Sequence, residues 1–482
     1  MKPYPRLLKF IRRLLLLLAT TATLLAGIVI VENWRGDRAW AAAERELRAR
    51  GEPLDLSAFQ TPPIPDDRNF FKAPVIDQLL SWSKRDDPQA KRLWNAANLD
   101  PLGQVLIQAF YGQRPGRVVS TPNDPSGSLH FAQTELLKLK LITEPLSSEP
   151  ATDILAAMKP AQALLDSVGQ AARERPDARL PIIQYPFEQT PLNYDETFRL
   201  GKILACRAKV ELALGRTDDA FADTLGILGL ARATQTAGNP LLGILVSAAL
   251  RQSAANVLKD GCRRSQWSDS QLAEFQQQLP DPQAFEQLKQ SFQTTRLVIT
   301  QILDAPSSPA SGNDDKTLPW WLFHGWLQQN KVTMAKGFSD LYTVFDPVTA
   351  RVFPLQVEPL KKRLDEMQRS RLPYGWVNAH WNMRTNLDVI TNFGADQNSL
   401  RLAVTACALE RHRLAHGGYP ASLVELVPAF LAAVPADVFT GQPLGYTRTP
   451  DGGFKLTSLP ADGKPAREAE NDPRVWVQAG VP

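Results

Sequence analysis

Residues 210–231 read VELALGRTDDAFADTLGILGLA. Apolar positions approach this stretch at helical intervals, with Phe198, Ile203, Ala205, Val210, Leu212 and Leu214 running up to Gly215, a residue suited to ending a helix. Arg216, Thr217 and Asp218 then reverse the chain, and Ala220, Leu225, Leu228 and Leu230 resume the same period. Two apolar stripes joined by so short a polar turn cover each other by lying antiparallel, so the stretch predicts a helical hairpin. Pro240 opens a further helix through Leu258.

Working outward, Pro-rich punctuation divides the chain at 61–69 (TPPIPDDRN), 114–128 (RPGRVVSTPNDPSGS), 144–150 and 305–319. Closely spaced prolines remove backbone donors and push their predecessors into extended conformations, so these segments connect elements. The segments between them read as helices. The expected fold is mainly α: an N-terminal transmembrane helix, a helical-hairpin ectodomain and a small C-terminal α+β unit with a β-hairpin. The boundaries read as a basic tail over 1–13, a transmembrane helix over 14–31, a helical stalk over 32–59, a helical ectodomain over 60–384 and the α+β unit over 385–482. The small residues around Gly215 resemble a tetratricopeptide-like turn, but no second copy follows at a period of about 34 residues, so a bundle or array without a regular repeat is expected.

The chain has 54 Lys and Arg against 50 Asp and Glu, a net charge of +4. Lys2, Arg6, Lys9, Arg12 and Arg13 supply five positive charges with no acid among the first thirteen residues, which leaves 49 against 50, or −1, for all the rest. A basic stripe of the kind that grips nucleic acid is missing beyond the tail, so a nucleic-acid partner is disfavoured. Residues 14–31 (LLLLLATTATLLAGIVIV) carry no charge over eighteen positions, and at 1.5 Å per residue such a helix spans about 27 Å of hydrocarbon. The competing reading is a cleaved signal peptide, whose apolar region runs to only about 7–15 residues. Five positive charges before the span place the tail in the cytoplasm by the positive-inside rule. The bulk of the chain is then expected in a bacterial periplasm, anchored in the inner membrane through residues 14–31.

Residues 32–50 contain no proline, and Trp40, Ala43 and Leu47 recur at helical spacing before Gly51, so span and stalk read as one continuous helix. The run LPWWLFHGWL at 318–327 concentrates Trp320, Trp321, Phe323 and Trp326. Buried packing among neighbouring helices is its first reading, and an interfacial helix touching lipid its second.

Near the carboxy terminus, Leu402, Ala406, Leu409 and Arg413 line a helix that Gly417 and Gly418 end, and a short helix is expected over 422–430. Strands at 443–449 and 454–459 flank Pro450-Asp451-Gly452-Gly453, a hairpin signal. The order of long helix, ALERHRLAHGGYP (408–420), VPADVFTGQPLGY (434–446), hairpin and LTSLPADG (456–463) resembles the globular part of the major pseudopilins of type II secretion. More broadly, WRGDRAWAAAERELRARGEPLD (34–55) with PPIPDDRNFF (62–71) resembles the start of uncharacterised bacterial membrane-anchored proteins that end in such a unit. The pseudopilin resemblance implies a calcium loop, with Asp462 and Asp472 as candidate ligands and Ser458 and Leu459 as further oxygen donors. The chain departs from pseudopilins in lacking the Gly-Phe-Thr-Leu-Ile-Glu type of processing motif.

Linear catalytic motifs are missing. His412 and His416 share a helix face, but Arg413, Leu414 and Ala415 lie between them, with no Glu to act as a base. Ser81-Trp82-Ser83-Lys84 fits S-x-x-K without the K-T-G partner. Cys206, Cys262 and Cys407 are too widely spaced for a metal cluster and read as small buried hydrophobes, with a Cys206–Cys262 disulfide as the alternative in an oxidising compartment. The expected function is a non-enzymatic interaction or scaffold protein of the cell envelope with an envelope protein partner. The alternatives are an accessory of a secretion or pilus-like machine, and an envelope hydrolase whose acids come from several helices.

Overall fold

A computed structural model describes residues 5–59, 62–80, 88–114, 117–118, 125–179, 192–235, 240–304, 320–369, 383–458 and 475–480. The described residues form fourteen α-helices: α1 (Pro5–Ala49), α2 (Pro74–Leu80), α3 (Pro88–Ala96), α4 (Leu99–Tyr111), α5 (Pro125–Lys138), α6 (Pro150–Glu174), α7 (Tyr194–Ala213), α8 (Thr217–Gln235), α9 (Pro240–Arg263), α10 (Asp269–Gln278), α11 (Ala284–Asp304), α12 (Trp320–Leu341), α13 (Pro354–Arg369) and α14 (Met383–His416). Short antiparallel pairs β1 (Gln113–Arg114) with β2 (Arg117–Val118), and β3 (Phe345–Asp346) with β4 (Arg351–Val352), accompany a three-stranded sheet of β5 (Gly445–Arg448), β6 (Phe454–Thr457) and β7 (Val475–Gln478). The chain divides into two units. The first draws on Met1–Phe59, Phe292–Thr343 and Gln356–Leu387, and the second on Gln60–Ser291, Val344–Leu355 and Asp388–Pro482.

In the first unit α1 runs unbroken from the basic tail through the apolar run into the stalk. Its character changes on the way. Residues 9–28 are exposed on every side, whereas Val29 and Trp40 are partly covered and Glu32, Gly36, Ala43 and Leu47 are buried, together a stripe at intervals of three and four. That stripe meets α12. Gly325 donates its N–H to Asn33 Oδ1 at 2.8 Å, His324 Nε2 lies 2.7 Å from Asp37 Oδ1, and Lys331 Nζ sits 4.5 Å from the Trp40 ring centre. Both residue numbers rise together, so the two helices run parallel.

Close approach at this crossing depends on two glycines. A Cβ on Gly36 would lie 2.5 Å from the Gly325 carbonyl oxygen, and one on Gly325 would overlap the Glu32 carbonyl. Further along, the first part of the unit is tied down by Arg296, whose guanidinium donates to the Pro53 carbonyl at 2.6 Å and reaches Glu52 at 3.4 Å.

In the second unit Gly215 adopts φ +72°, the left-handed conformation that ends α7, and Thr217 starts α8 two residues later. Arg207 and Asp223 face each other from positions equally far from that turn, so α7 and α8 are antiparallel. Helix α8 packs against α6, α7 and α9. Its Ile227, Leu228 and Leu230 are fully buried, and each such side chain stabilises by about 1.5–3 kcal/mol. Trp267 and Phe221 meet Phe275 of α10 edge to face at 5.0 and 5.2 Å.

The end of the chain shares one continuous apolar core with residues 70–279, through Leu402, Ala406, Leu409, Phe454, Leu456 and Trp476. Gly417, at φ +78°, follows the last residue of α14. Over 422–430 the expected α-helix is instead one 3-10 turn, Leu423–Leu426, with a capping box between Ser422 and Glu425. Pro428 explains the brevity, because a residue preceding proline is driven out of the α region, and Val427 is extended at φ −96°, ψ 134°. β5 and β6 pair with Tyr446 opposite Leu456, and β7 adds to the far side of β6 with Trp476 opposite Leu456. The third strand, β7, adds to the two strands that the sequence predicts.

Gly325→Leu is expected to force α12 off α1 and to destabilise the first unit by about 1–3 kcal/mol. Limited proteolysis of the detergent-solubilised protein should then cut faster within 32–50, whereas Gly27→Leu, where a Cβ meets nothing within 4 Å, should not change the pattern.

Candidate functional site

The most chemically distinctive group of side chains lies inside the α7–α8 hairpin. The buried stripe of α7 passes through Ile203, Arg207 and Val210, so a cation occupies a position that the helical period assigns to the core. Arg207 is only 4% exposed. Its Nε donates to Asp223 Oδ2 at 2.7 Å, its Nη2 donates to Asp223 Oδ1, and its Nη1 lies 2.8 Å from Asp166 Oδ1 of α6. Glu211, one turn further along α7, places Oε1 3.8 Å from Arg207 Nε, and its buried Oε2 has no hydrogen-bond partner among the described residues.

Burial sets the protonation of this group. Loss of water pushes the Glu211 carboxyl up to about 9, since the neighbouring Asp223 charge adds to desolvation and Arg207 is too distant to offset both. Desolvation also raises Asp223, to about 6, against the two hydrogen bonds and the charge of Arg207. At neutral pH the geometry therefore reads as Arg207 paired with an ionised Asp223, the outer Asp166 completing the contact and Glu211 holding its proton. Sequence reasoning passed over these residues. The available signal was the placing of Arg207 and Glu211, four apart, on an otherwise apolar face.

A second polar group lies between α4, α7 and α9. Lys202 Nζ sits 3.7 Å from the centre of the Tyr111 ring, and burial lowers its ammonium to about 8. Lys209 pairs with Asp260 at 3.0 Å. Cys206, fully buried beside them, has its thiol pushed up to about 12 by desolvation. Cys206, Cys262 and Cys407 are all free and buried, so the Cys206–Cys262 disulfide is not formed.

A groove of about 580 Å³ runs beside α6, α8 and α10, lined among others by Phe221, Leu225, Arg232, Gln271, Glu274 and Gln278. Arg232 donates to Gln278 Oε1 at 2.5 Å and to the Ala172 carbonyl at 3.3 Å, while Gln278 donates to Glu274 Oε1 at 2.8 Å. Its polar groups are thus engaged with one another. Glu211 and Asp223 do not line it, and neither do Asp340 and Asp396, whose carboxyls burial also raises, that of Asp396 to about 6.

At the end of α14 the structure brings His412 and His416 together, with ring centres 4.4 Å apart. His412 Nδ1 lies 2.8 Å from the Gly418 carbonyl, and both rings meet Phe430 edge to face. Among the described residues no group of three or more His, Cys, Asp or Glu is placed to hold a metal ion. Glu410 is buried and accepts from Tyr419 Oη at 2.6 Å and Arg413 Nε at 2.9 Å. In the loop at 434–446, buried Asp437 accepts from Asn398 Nδ2 and from the N–H groups of Phe439 and Thr440 at 2.8–2.9 Å. That single carboxylate organises the turn into β5.

Of the proposed calcium ligands, Asp462, Asp472 and Leu459 lie outside the described residues, as do Ser81, Ser83 and Lys84. Ser458 is buried, and among the described residues its hydroxyl has no hydrogen-bond partner. No family model matches the chain, and no curated protein or solved structure does so either.

Three measurements check the charge network and the thiols. An unfolded Glu211 would titrate near 4.5, whereas the folded one keeps its proton to about 9. Between those values the folded protein binds the extra proton, so stability falls as pH rises, by up to about 1.4 kcal/mol per pH unit. Glu211→Gln should flatten that dependence in urea titrations from pH 5 to 9. Arg207→Ala leaves Asp223 buried without its counter-charge and should cost about 3–5 kcal/mol in the same titrations. A maleimide reagent should leave all three cysteines unmodified in the folded protein at neutral pH and modify all three after unfolding, as mass spectrometry would read.

Proposed function

We propose that this chain is a single-pass protein of the bacterial inner membrane. Residues 1–13 stay in the cytoplasm, residues 14–31 cross the bilayer, and the helical remainder acts in the periplasm as a non-enzymatic scaffold for an envelope protein partner. The observation that carries this reading is the change of character along α1. Its apolar half exposes Leu15, Leu17, Leu24, Leu25, Ile28 and Ile30 around the whole helix, a surface that lipid satisfies. The positive charges at the cytoplasmic end support the orientation.

Two observations favour contact over catalysis. Arg207 occupies the space between Glu211 and Asp223 and draws Asp223 into an internal ion pair. Val348, at the turn between β3 and β4, is 91% exposed, and Leu355, at the start of α13, is 92% exposed, two apolar side chains offered to solvent. A second reading, an accessory of a secretion or pilus-like machine, draws support from the long α14 leading into an antiparallel sheet beneath the pseudopilin-like sequence. A calcium ion at Asp462 and Asp472 belongs to that second reading.

The anchored reading expects the intact chain to stay with membranes through an alkaline carbonate wash, and protease added to spheroplasts to remove all but an N-terminal fragment. Release by carbonate would end it. A photo-crosslinking residue at Val348 or Leu355 is expected to capture one defined envelope protein in living cells; repeated recovery of monomer alone would count against the scaffold role.

A further inference from the structure

Helices α1 and α12 share a register that two separate contacts fix. Gly325 stands against Asn33 and Gly36, and Lys331 stands against Trp40. Counting back from Gly325, the first residue of α12, Trp320, comes level with the neighbourhood of Val29, about 7.5 Å nearer the membrane at 1.5 Å per residue. Val29 agrees with that count, since it is partly covered while Ile28, Ile30 and Val31 on either side are exposed. The uncharged run of α1 ends at Val31. The opening turns of α12 therefore begin at the depth where the hydrocarbon ends.

The sequence there suits that depth. Trp320, Trp321, Phe323 and Trp326 are four of the first seven residues of α12. On α1, Trp34 lies at the same level, 59% exposed, with the Arg38 guanidinium 4.9 Å from its ring centre. Tryptophan is enriched at the membrane–water boundary because its ring is apolar while its N–H seeks a hydrogen bond, and arginine there reaches lipid phosphate.

We propose that the opening turns of α12, together with Trp34 and Arg38 of α1, form a lipid-binding surface seated in the headgroup layer of the bilayer that α1 crosses. The proposal rests on α1 spanning the membrane and adds a second point of attachment for the first unit. Trp34 occupies the boundary between acyl chains and headgroups, and Arg38 meets the phosphates. Unit one is thereby held against the bilayer by two helices although only one of them crosses it.

The test uses the full chain reconstituted in vesicles of phosphatidylethanolamine and phosphatidylglycerol, with a fluorophore on a single introduced cysteine and a nitroxide quencher near the top of the lipid acyl chains. Leu322→Cys reports on α12, Leu25→Cys on the middle of the span, and Arg48→Cys on an exposed position of α1 about 25 Å beyond Val31. The label at 322 is expected to be quenched about twofold or more, as interfacial residues are, while the label at 48 is unaffected. Phe323→Cys gives the same readout should the first variant fold poorly. If the label at 322 or 323 behaves as that at 48 while a deep quencher reaches the label at 25, the surface is not on lipid and the proposal is overturned. If no quencher reaches the label at 25, the span itself fails and the proposal falls with it, a different and recognisable result.

Discussion

The guanidinium of Arg207 is the demand around which the second unit is arranged. A cation removed from water needs fixed partners, and it takes them from Asp223 on α8 and Asp166 on α6. The fork of Arg207 on Asp223 sets the register of α7 against α8, and the reach to Asp166 brings in α6. Such a group adds less net stability than an apolar one of the same shape, because desolvation consumes much of the attraction. What it contributes is discrimination. Three helices rich in alanine and leucine can slide past one another at little cost, whereas a slip of one turn here would strand a charge. Glu211, neutral at this spot, lets the cluster remain close to charge balance.

In the first unit contact depends on the absence of side chains. Gly36 and Gly325 allow backbone to approach backbone, so that Asn33 reaches the N–H of Gly325 and Trp40 receives the Lys331 ammonium. Lys331 is then only 2% exposed, held also by Asp304 at 2.5 Å. Close packing and polar contacts reinforce each other along one seam, and the seam begins where the apolar run of α1 stops.

Much of this was readable beforehand, for local physical reasons. Gly215 with its polar successors announced a helix reversal, the uncharged eighteen residues announced a helix longer than a core requires, and the absence of proline over 32–50 joined stalk to span. What escaped was non-local. Strand β7 has only four residues and gains its meaning from β6 and from α9, whose Lys259 donates to the Val475 carbonyl at 3.2 Å. Arg207 and Asp223 lie sixteen positions apart, and nothing in either neighbourhood names the other. The short helix expected over 422–430 shrinks to one 3-10 turn, since Pro428 lacks the backbone N–H that a longer helix needs there.

Continuity of α1 has a mechanical side. If α1 crosses a bilayer, as proposed, it enters folded protein without a loop and transmits angle as well as position, so any inclination adopted within the lipid is imposed on the first unit. Helices tilt to match their apolar length to the hydrocarbon around them. Bilayer thickness would then govern the attitude of this unit above the surface, making lipid composition a quiet determinant of which face it turns outward.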